Sequence, residues 1–241
     1  IAELQALRTT IEGLVRKYDE QEEAEIESVV KIYETMKPKD AARIVNTTNL
    51  AAGSRVVEAG AGSGALTAHL LTAVGDQGHV RSIERRADFA EIASDNVRSW
   101  FGHLPPSWEL QVGDFQDANL ESKDFDACVL DMLAPWECIE AAAWALRPGG
   151  VLVAYVATTT QLSRIGEALR EHGGWTEPRA EESMVRTWHL EGLSVRPDHR
   201  MVAHTGFLLI TRRLAPGAVL PARRTRPAKG AYGEDYTPAG T

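Results

Sequence analysis

Arg55-Val56-Val57-Glu58-Ala59-Gly60-Ala61-Gly62-Ser63-Gly64-Ala65-Leu66-Thr67 decides the fold of this chain. Arg55–Ala59 is a short run carrying branched apolar residues, which suits a strand. Three glycines at every second position follow, and Leu66–Ala73 then reads as a helix. Glycine lets the main chain turn tightly and lets another group approach it closely. A strand, a glycine turn and a helix form the opening of a β-α-β unit, and open sheets built from such units place ligands outside the carboxyl ends of their strands.

The alternation continues outward from this unit. Val80–Glu84 is expected as a second strand, Ala87–Phe101 as a helix, Trp108–Val112 as a third strand and Phe125–Leu130 as a fourth. A helix from about Glu137 to Leu146, a turn at Gly149-Gly150, a fifth strand Val151–Val156 and a helix Gln161–His172 follow. Met184–Leu193 and Gly206–Thr211 read as late strands. Strands separated by helical runs predict an α/β fold with a mostly parallel sheet covered on both faces. Upstream, residues 39–47 read as a helix and residues 1–36 as an N-terminal helical segment. Ile1, Leu4, Leu7, Ile11, Leu14 and Tyr18 share one stripe, and Ile26, Val29, Val30, Ile32, Tyr33 and Met36 lie on a second helix. So short an amphipathic piece needs the main domain or another chain to bury its stripe. Residues 216–241, rich in Pro, Gly, Ala and Arg, are expected as a basic, disordered tail. The domain expectation is therefore 1–36, 37–215 and 216–241.

Apolar residues make up 44% of the 241, enough for a substantial core. No run of apolar residues is long enough for a membrane-spanning helix, and the N-terminus lacks a secretory pattern. Cys128 and Cys138 form no CxxC pair and adjoin no His cluster, so neither a metal nor a disulfide is expected, and the expected location is the cytoplasm. The net charge is −8, unevenly spread: residues 1–40 balance to −4, residues 212–241 to +4, and the middle to −8. A basic tail on an acidic body can still steer an RNA, because local field governs encounter.

Candidate chemistry sits at successive strand ends. The spacing ExGxGxG from Glu58 to Gly64 resembles methyltransferases more than dinucleotide enzymes, so S-adenosyl-L-methionine is the expected cofactor, held around Gly60, Gly62, Ser63, Gly64, Ala65 and Leu66. Glu84 ends the second strand, where a carboxylate can accept both ribose hydroxyls. Phe89 either covers the adenine or packs within its helix. Asp114 follows the third strand and can accept the cofactor's exocyclic amine, or simply make a turn. Asp131 ends the fourth strand before Met132-Leu133-Ala134-Pro135-Trp136, facing the methyl donor, and Trp136 either stacks on a base or fills the core. No Ser-His-Asp or Cys-His set is evident. Methyl transfer to a ring nitrogen needs none, since the nucleophile brings its own lone pair and the protein mainly positions the reactants and offsets charge.

Pro38-Lys39-Asp40-Ala41-Ala42, Val57–Thr67, Glu84–Ala90, Val129–Glu137, Tyr155–Arg164, Trp175–Arg179, His204–Phe207 and Thr211–Val219 together resemble the TrmI family of tRNA (adenine-N1)-methyltransferases, in its actinobacterial form. The likeness spans about residues 38–220. It implies a Rossmann-like class I methyltransferase that modifies N1 of adenine 58 in the tRNA T-loop, usually as a homotetramer. It also implies that Gly60–Leu66, Glu84, Phe89, Asp114 and Asp131 bind the cofactor and that Asp131 is catalytic. Lys37 stands where the family has Tyr. Residues 1 to about 46 resemble instead the helical module of MotE-type flagellar motor proteins, on Leu4–Tyr18 and Ile26–Ile44. That likeness implies an alternative: a cofactor-binding fusion, impaired in catalysis, whose helical N-terminus docks on a protein partner.

Overall fold

The computed structural model describes residues 38–120, 124–199, 206–218 and 220–221. The helices expected over 1–36, and all of the tail from 222 onward, lie outside the described residues. In chain order the elements are α1 Pro38–Thr48, β1 Arg55–Ala59, α2 Ala65–Val74, β2 His79–Glu84, α3 Ala87–Phe101, β3 Trp108–Val112, β4 Phe125–Asp131, α4 Ile139–Ala145, β5 Leu146–Val156, α5 Thr159–His172, β6 Arg179–Glu182, β7 Trp188–Glu191, β8 Ser194–Pro197 and β9 Phe207–Arg212.

Seven strands form one sheet in the order β3-β2-β1-β4-β5-β9-β6. The first five run parallel, and β9 is antiparallel to both β5 and β6. The inner strands are buried on both faces, so their side chains feed two cores by simple alternation. Val57, Cys128 and Leu152 point toward α4 and α5, where they meet Ile139, Ala142, Ile165 and Leu169. Val56, Val129 and Val153 point the other way, onto Ile44 of α1, Leu66 and Leu70 of α2 and Val97 of α3. The result is a three-layer α/β sandwich, as the alternation of strands and helices predicts.

Three local expectations need correction, and one strand is unexpected. The helix expected from Glu137 to Leu146 is a 3-10 turn, Pro135–Cys138, followed by a helix that stops at Ala145. The fifth strand begins at Leu146, before the glycines, because Leu146 already pairs with Phe125. The expected strand Met184–Leu193 shrinks to Trp188–Glu191 and pairs only with β8, apart from the main sheet. The sheet edge is instead β6, Arg179-Ala180-Glu181-Glu182, which has no apolar alternation to betray it. Its ladder to β9 is a backbone interaction, and charge on an edge strand discourages further strand addition.

Leu70 is fully buried between α2 and the sheet. Leu70→Ala is expected to cost about 2–5 kcal/mol through lost burial and a residual cavity. Calorimetric melting of the variant beside the parent chain measures it.

Candidate active site

The chain passes from β1 to β2 on one side and places β4 on the other, so the order reverses between β1 and β4. Connections leaving such a point diverge and open a crevice. Here the crevice is a cleft of about 250 Å3, walled by Gly60, Gly62 and Ser63 after β1, Glu84, Arg85, Arg86 and Phe89 after β2, Gly113, Asp114 and Phe115 after β3, and Asp131–Ala134 with Glu137 after β4.

Gly60, Gly62, Ser63, Glu84, Phe89, Asp114 and Asp131, scattered over seventy positions of sequence, thus meet on one wall. Gly64, Ala65 and Leu66, expected beside them, stand off it. Gly64 has φ +77° and would bring a Cβ to 2.9 Å from the Ala93 carbonyl oxygen, so it lets α2 and α3 pack. Ala65 is exposed at the start of α2, and Leu66 is buried in the core against the sheet.

The loops after β1 and β4 cross at Gly60. Its φ is +88°, and a Cβ there would lie 1.9 Å from the main-chain oxygen of Asp131. Only glycine allows that approach. Glu84 ties the second loop to the first: one carboxylate oxygen accepts from the Gly62 N–H at 3.0 Å, the other from the Arg86 N–H at 3.0 Å. Both oxygens keep a lone pair for a further donor. Asp114 accepts from Arg85 Nε across the cleft rim. The Arg86 guanidinium lies 4.1 Å from the Phe89 ring centroid and pairs with Asp88.

Glu58 carries no role in the sequence reading beyond its place in the glycine motif, yet it is a central buried group. It is fully buried, and one carboxylate oxygen accepts from Thr67 Oγ1 at 2.7 Å and Ser82 Oγ at 2.6 Å. Trp108 Nε1 donates to the same Ser82 hydroxyl at 3.0 Å. Its second oxygen is buried with no partner among the described residues, as is Asp131 Oδ1. An acid inside Val56-Val57-Glu58-Ala59, otherwise apolar, was the available signal. Burial pushes the Glu58 carboxyl up to about 7, with Glu84 adding to the shift against two hydroxyl donors that oppose it. Burial likewise pushes Asp131 up to about 8, helped by the charges of Glu58 and Glu84. An orphaned carboxylate oxygen and a crowd of like charge both favour a cationic visitor.

Tyr155 pairs with Asp131 across β4 and β5, so the two stand side by side at the strand ends. On the far side of the fourth loop, Trp136 is partly buried against the core, and the Arg164 guanidinium covers its ring at 4.3 Å. Trp136 therefore fills the core in part, and its ring carries a cation, an arrangement that does not bear on stacking against a base.

A seven-stranded sheet of this order, with glycine turn and acids converging at the reversal point, is the Rossmann-like fold of class I methyltransferases that use S-adenosyl-L-methionine. The family described as the tRNA methyltransferase complex GCD14 subunit matches residues 32–202. The tRNA (adenine(58)-N(1))-methyltransferase TrmI of Thermus thermophilus is 38% identical over 181 residues, covering 73% of this chain and 68% of that one. A solved S-adenosylmethionine-dependent O-methyltransferase from Thermotoga maritima superposes with a TM-score of 0.69 at 30% identity, covering 79% of this chain and 68% of that one. The solved tRNA (m1A58) methyltransferase TrmI of Aquifex aeolicus gives 0.67 at 28%, covering 75% and 70%. The chain belongs to the GCD14/TrmI family of tRNA methyltransferases. The flagellar-type likeness over 1 to about 46 falls almost wholly outside the described residues, and from residue 32 it is overlapped by the family match.

The raised carboxyls carry a stability consequence. Their folded-state pKa values, about 7 for Glu58 and about 8 for Asp131, exceed the ordinary values of 4.5 and 3.8. The native state therefore binds more protons than the unfolded chain between about pH 4 and 8, and stability falls as pH rises through that window. Asp131→Asn is expected to flatten the decline of melting temperature from pH 5 to 8, and Glu58→Gln to flatten its lower part. Parallel slopes in all three proteins would contradict it.

Proposed function

We propose that this protein transfers a methyl group from S-adenosyl-L-methionine to N1 of adenine 58 in the T-loop of tRNA. The observation that carries the reading is the convergence of Gly60, Glu84, Asp114 and the unpartnered Asp131 oxygen on one cleft, in a chain whose family is tRNA-modifying. The cofactor fits this wall on physical grounds. The Gly60 crossing leaves main chain bare for close approach, Glu84 offers acceptor lone pairs, and the surrounding acids suit a positively charged ligand.

When bound, S-adenosyl-L-methionine supplies a methyl group on a cationic sulfur. In this reading Glu84 accepts from the ribose hydroxyls and Asp114 from the adenine amine, while Phe89 closes one flank of the cleft. Asp131 accepts from the N6 amine of the target adenine, which turns N1 toward the cleft. Its negative charge then offsets the positive charge that methylation places on the ring. The pair of cations, donor and product, favours the ionised form of Asp131 against its burial. Tyr155, the β5 neighbour of Asp131 in the sheet, is buried in the core beside it.

Assembly into a homo-oligomer is part of the proposal. The β7–β8 hairpin lies apart from the main sheet and presents Trp188, Leu190 and Val195, which are 56%, 73% and 58% exposed. A contiguous exposed apolar surface of this kind suits an interface between subunits. Leu190→Glu with Trp188→Glu is expected to lower the assembled mass in sedimentation while leaving the melting transition cooperative. An unchanged mass would place assembly elsewhere.

The catalytic assignment is tested by transferring labelled methyl to unmodified tRNA. Asp131→Ala is expected to lower kcat by on the order of 10² or more, as loss of a charge-stabilising group does, with binding of S-adenosylhomocysteine within a few-fold of wild type. Glu84→Ala is expected to do the reverse, weakening that binding at least ten-fold. Label should vanish when adenine 58 is replaced by guanine. Label that persists there would move the target to another nucleotide.

A further inference from the structure

The cleft itself is acidic, with Glu84, Asp114, Asp131 and Glu137 on its wall and Glu58 behind it. An RNA strand that delivers a base into such a cleft must anchor its phosphates on cations at the rim. The arginines on the β2 side are engaged, Arg85 with Asp114 and Arg86 with Asp88. Elsewhere, Arg43 and Arg179 pair with Glu181, Arg170 with Glu167 and Glu177, and Arg147 with Asp126.

Arg164 differs. It is exposed on α5, has no carboxylate or carbonyl partner among the described residues, and lies across the Trp136 ring at 4.3 Å. Residues three apart on a helix share a face, and Gln161 uses that face to donate to the Leu133 carbonyl at 3.0 Å. The start of α5 thus clasps the 133–136 loop at two points, and that loop begins at Asp131. The α5 N-terminus is itself held by a reciprocal cap between Thr158 and Gln161, so the clasp is set on a rigid end. A cation over an aromatic face is oriented through its π contact, which leaves the planar fork of N–H donors free to bind. Such a fork matches two phosphate oxygens.

We propose that Arg164, laid across Trp136 in the loop whose Asp131–Ala134 and Glu137 wall the cleft, binds a backbone phosphate of the RNA strand that carries the target adenine. This rests on the tRNA reading above. Arg164 is a substrate-positioning residue on the acceptor side, and Trp136 is its platform.

Three measurements on the full chain test it: tRNA binding by anisotropy across a salt series, steady-state methylation of tRNA, and titration with S-adenosylhomocysteine. Arg164→Ala is expected to weaken tRNA binding and raise KM for tRNA about three- to ten-fold, with kcat within two-fold. The slope of log affinity against log salt should shrink by about one, as loss of one phosphate contact requires. Arg164→Glu should weaken binding further, Arg164→Lys should restore part of it, and Trp136→Leu should fall between wild type and Arg164→Ala. Cofactor-product binding should not change in the Arg164 variants. Wild-type tRNA affinity and salt slope in Arg164→Glu overturn the proposal while leaving the tRNA reading intact. So does a lowered kcat at unchanged KM, or a parallel loss of cofactor-product binding, since either makes the lesion structural. A wild-type protein that neither binds nor methylates tRNA overturns both.

Discussion

The site depends on one steric contact. Where β1 and β4 part, the main chain at Gly60 passes so close to the Asp131 carbonyl that a methyl group on Gly60 would overlap it. That proximity brings the glycine loop against the end of β4, so the loop's exposed main chain and the Asp131 carboxylate face the same space. The other contributors are joined to it by hydrogen bonds. Glu84 holds the loop through the Gly62 N–H, and β2 holds it through the bond from Gly60 N–H to the Ile83 carbonyl at 2.9 Å. A cleft assembled this way is stiff before any ligand arrives, which lowers the ordering cost of binding.

The electrostatics follow from where the sheet puts its acids. Glu58 is inside the core because its strand position is inside the core, and only Thr67 and Ser82 make that burial tolerable. Buried carboxylates with an orphaned oxygen are costly in a purely structural role. In a pocket for a cationic donor the same feature is a reserve of negative potential. The fold accepts lower stability near neutral pH, and the site gains an environment that favours positive charge in both the reactant and the product.

The rim is organised differently from the interior. On the β2 side arginines are neutralised by Asp114 and Asp88, while on the α5 side Arg164 rests on an aromatic ring and keeps its donors. An acidic pocket with an unpaired arginine near one side suits two proposed tasks, a small cationic ligand in the interior and a polyanion outside it.

Much of this was legible in the sequence. The glycine spacing after Val56-Val57-Glu58-Ala59 and the helix Ala87–Phe101 read directly, because chain geometry ties local pattern to strand and helix periods. Glu84, Asp114 and Asp131 could be expected on one wall because they stand at or just after strand ends, which face one crevice in such sheets. Five things were not legible. The edge strand Arg179–Glu182 is held by a backbone ladder and carries no apolar signature, and the hairpin of β7 and β8 depends on pairing rather than pattern. Whether Gly64 faced the cleft or a neighbouring helix depended on Ala93, nearly thirty residues away. The network around Glu58 and the Arg164 clasp on Trp136 required the packing of distant segments. By itself the sequence determined the order and type of elements and the residues at the strand ends, since those follow from local periodicity and turn chemistry. Only the tertiary structure decided which of those residues share a wall, which carboxyls lose water, and which of the described arginines form ion pairs, because each of these is a property of contacts between elements far apart in the chain.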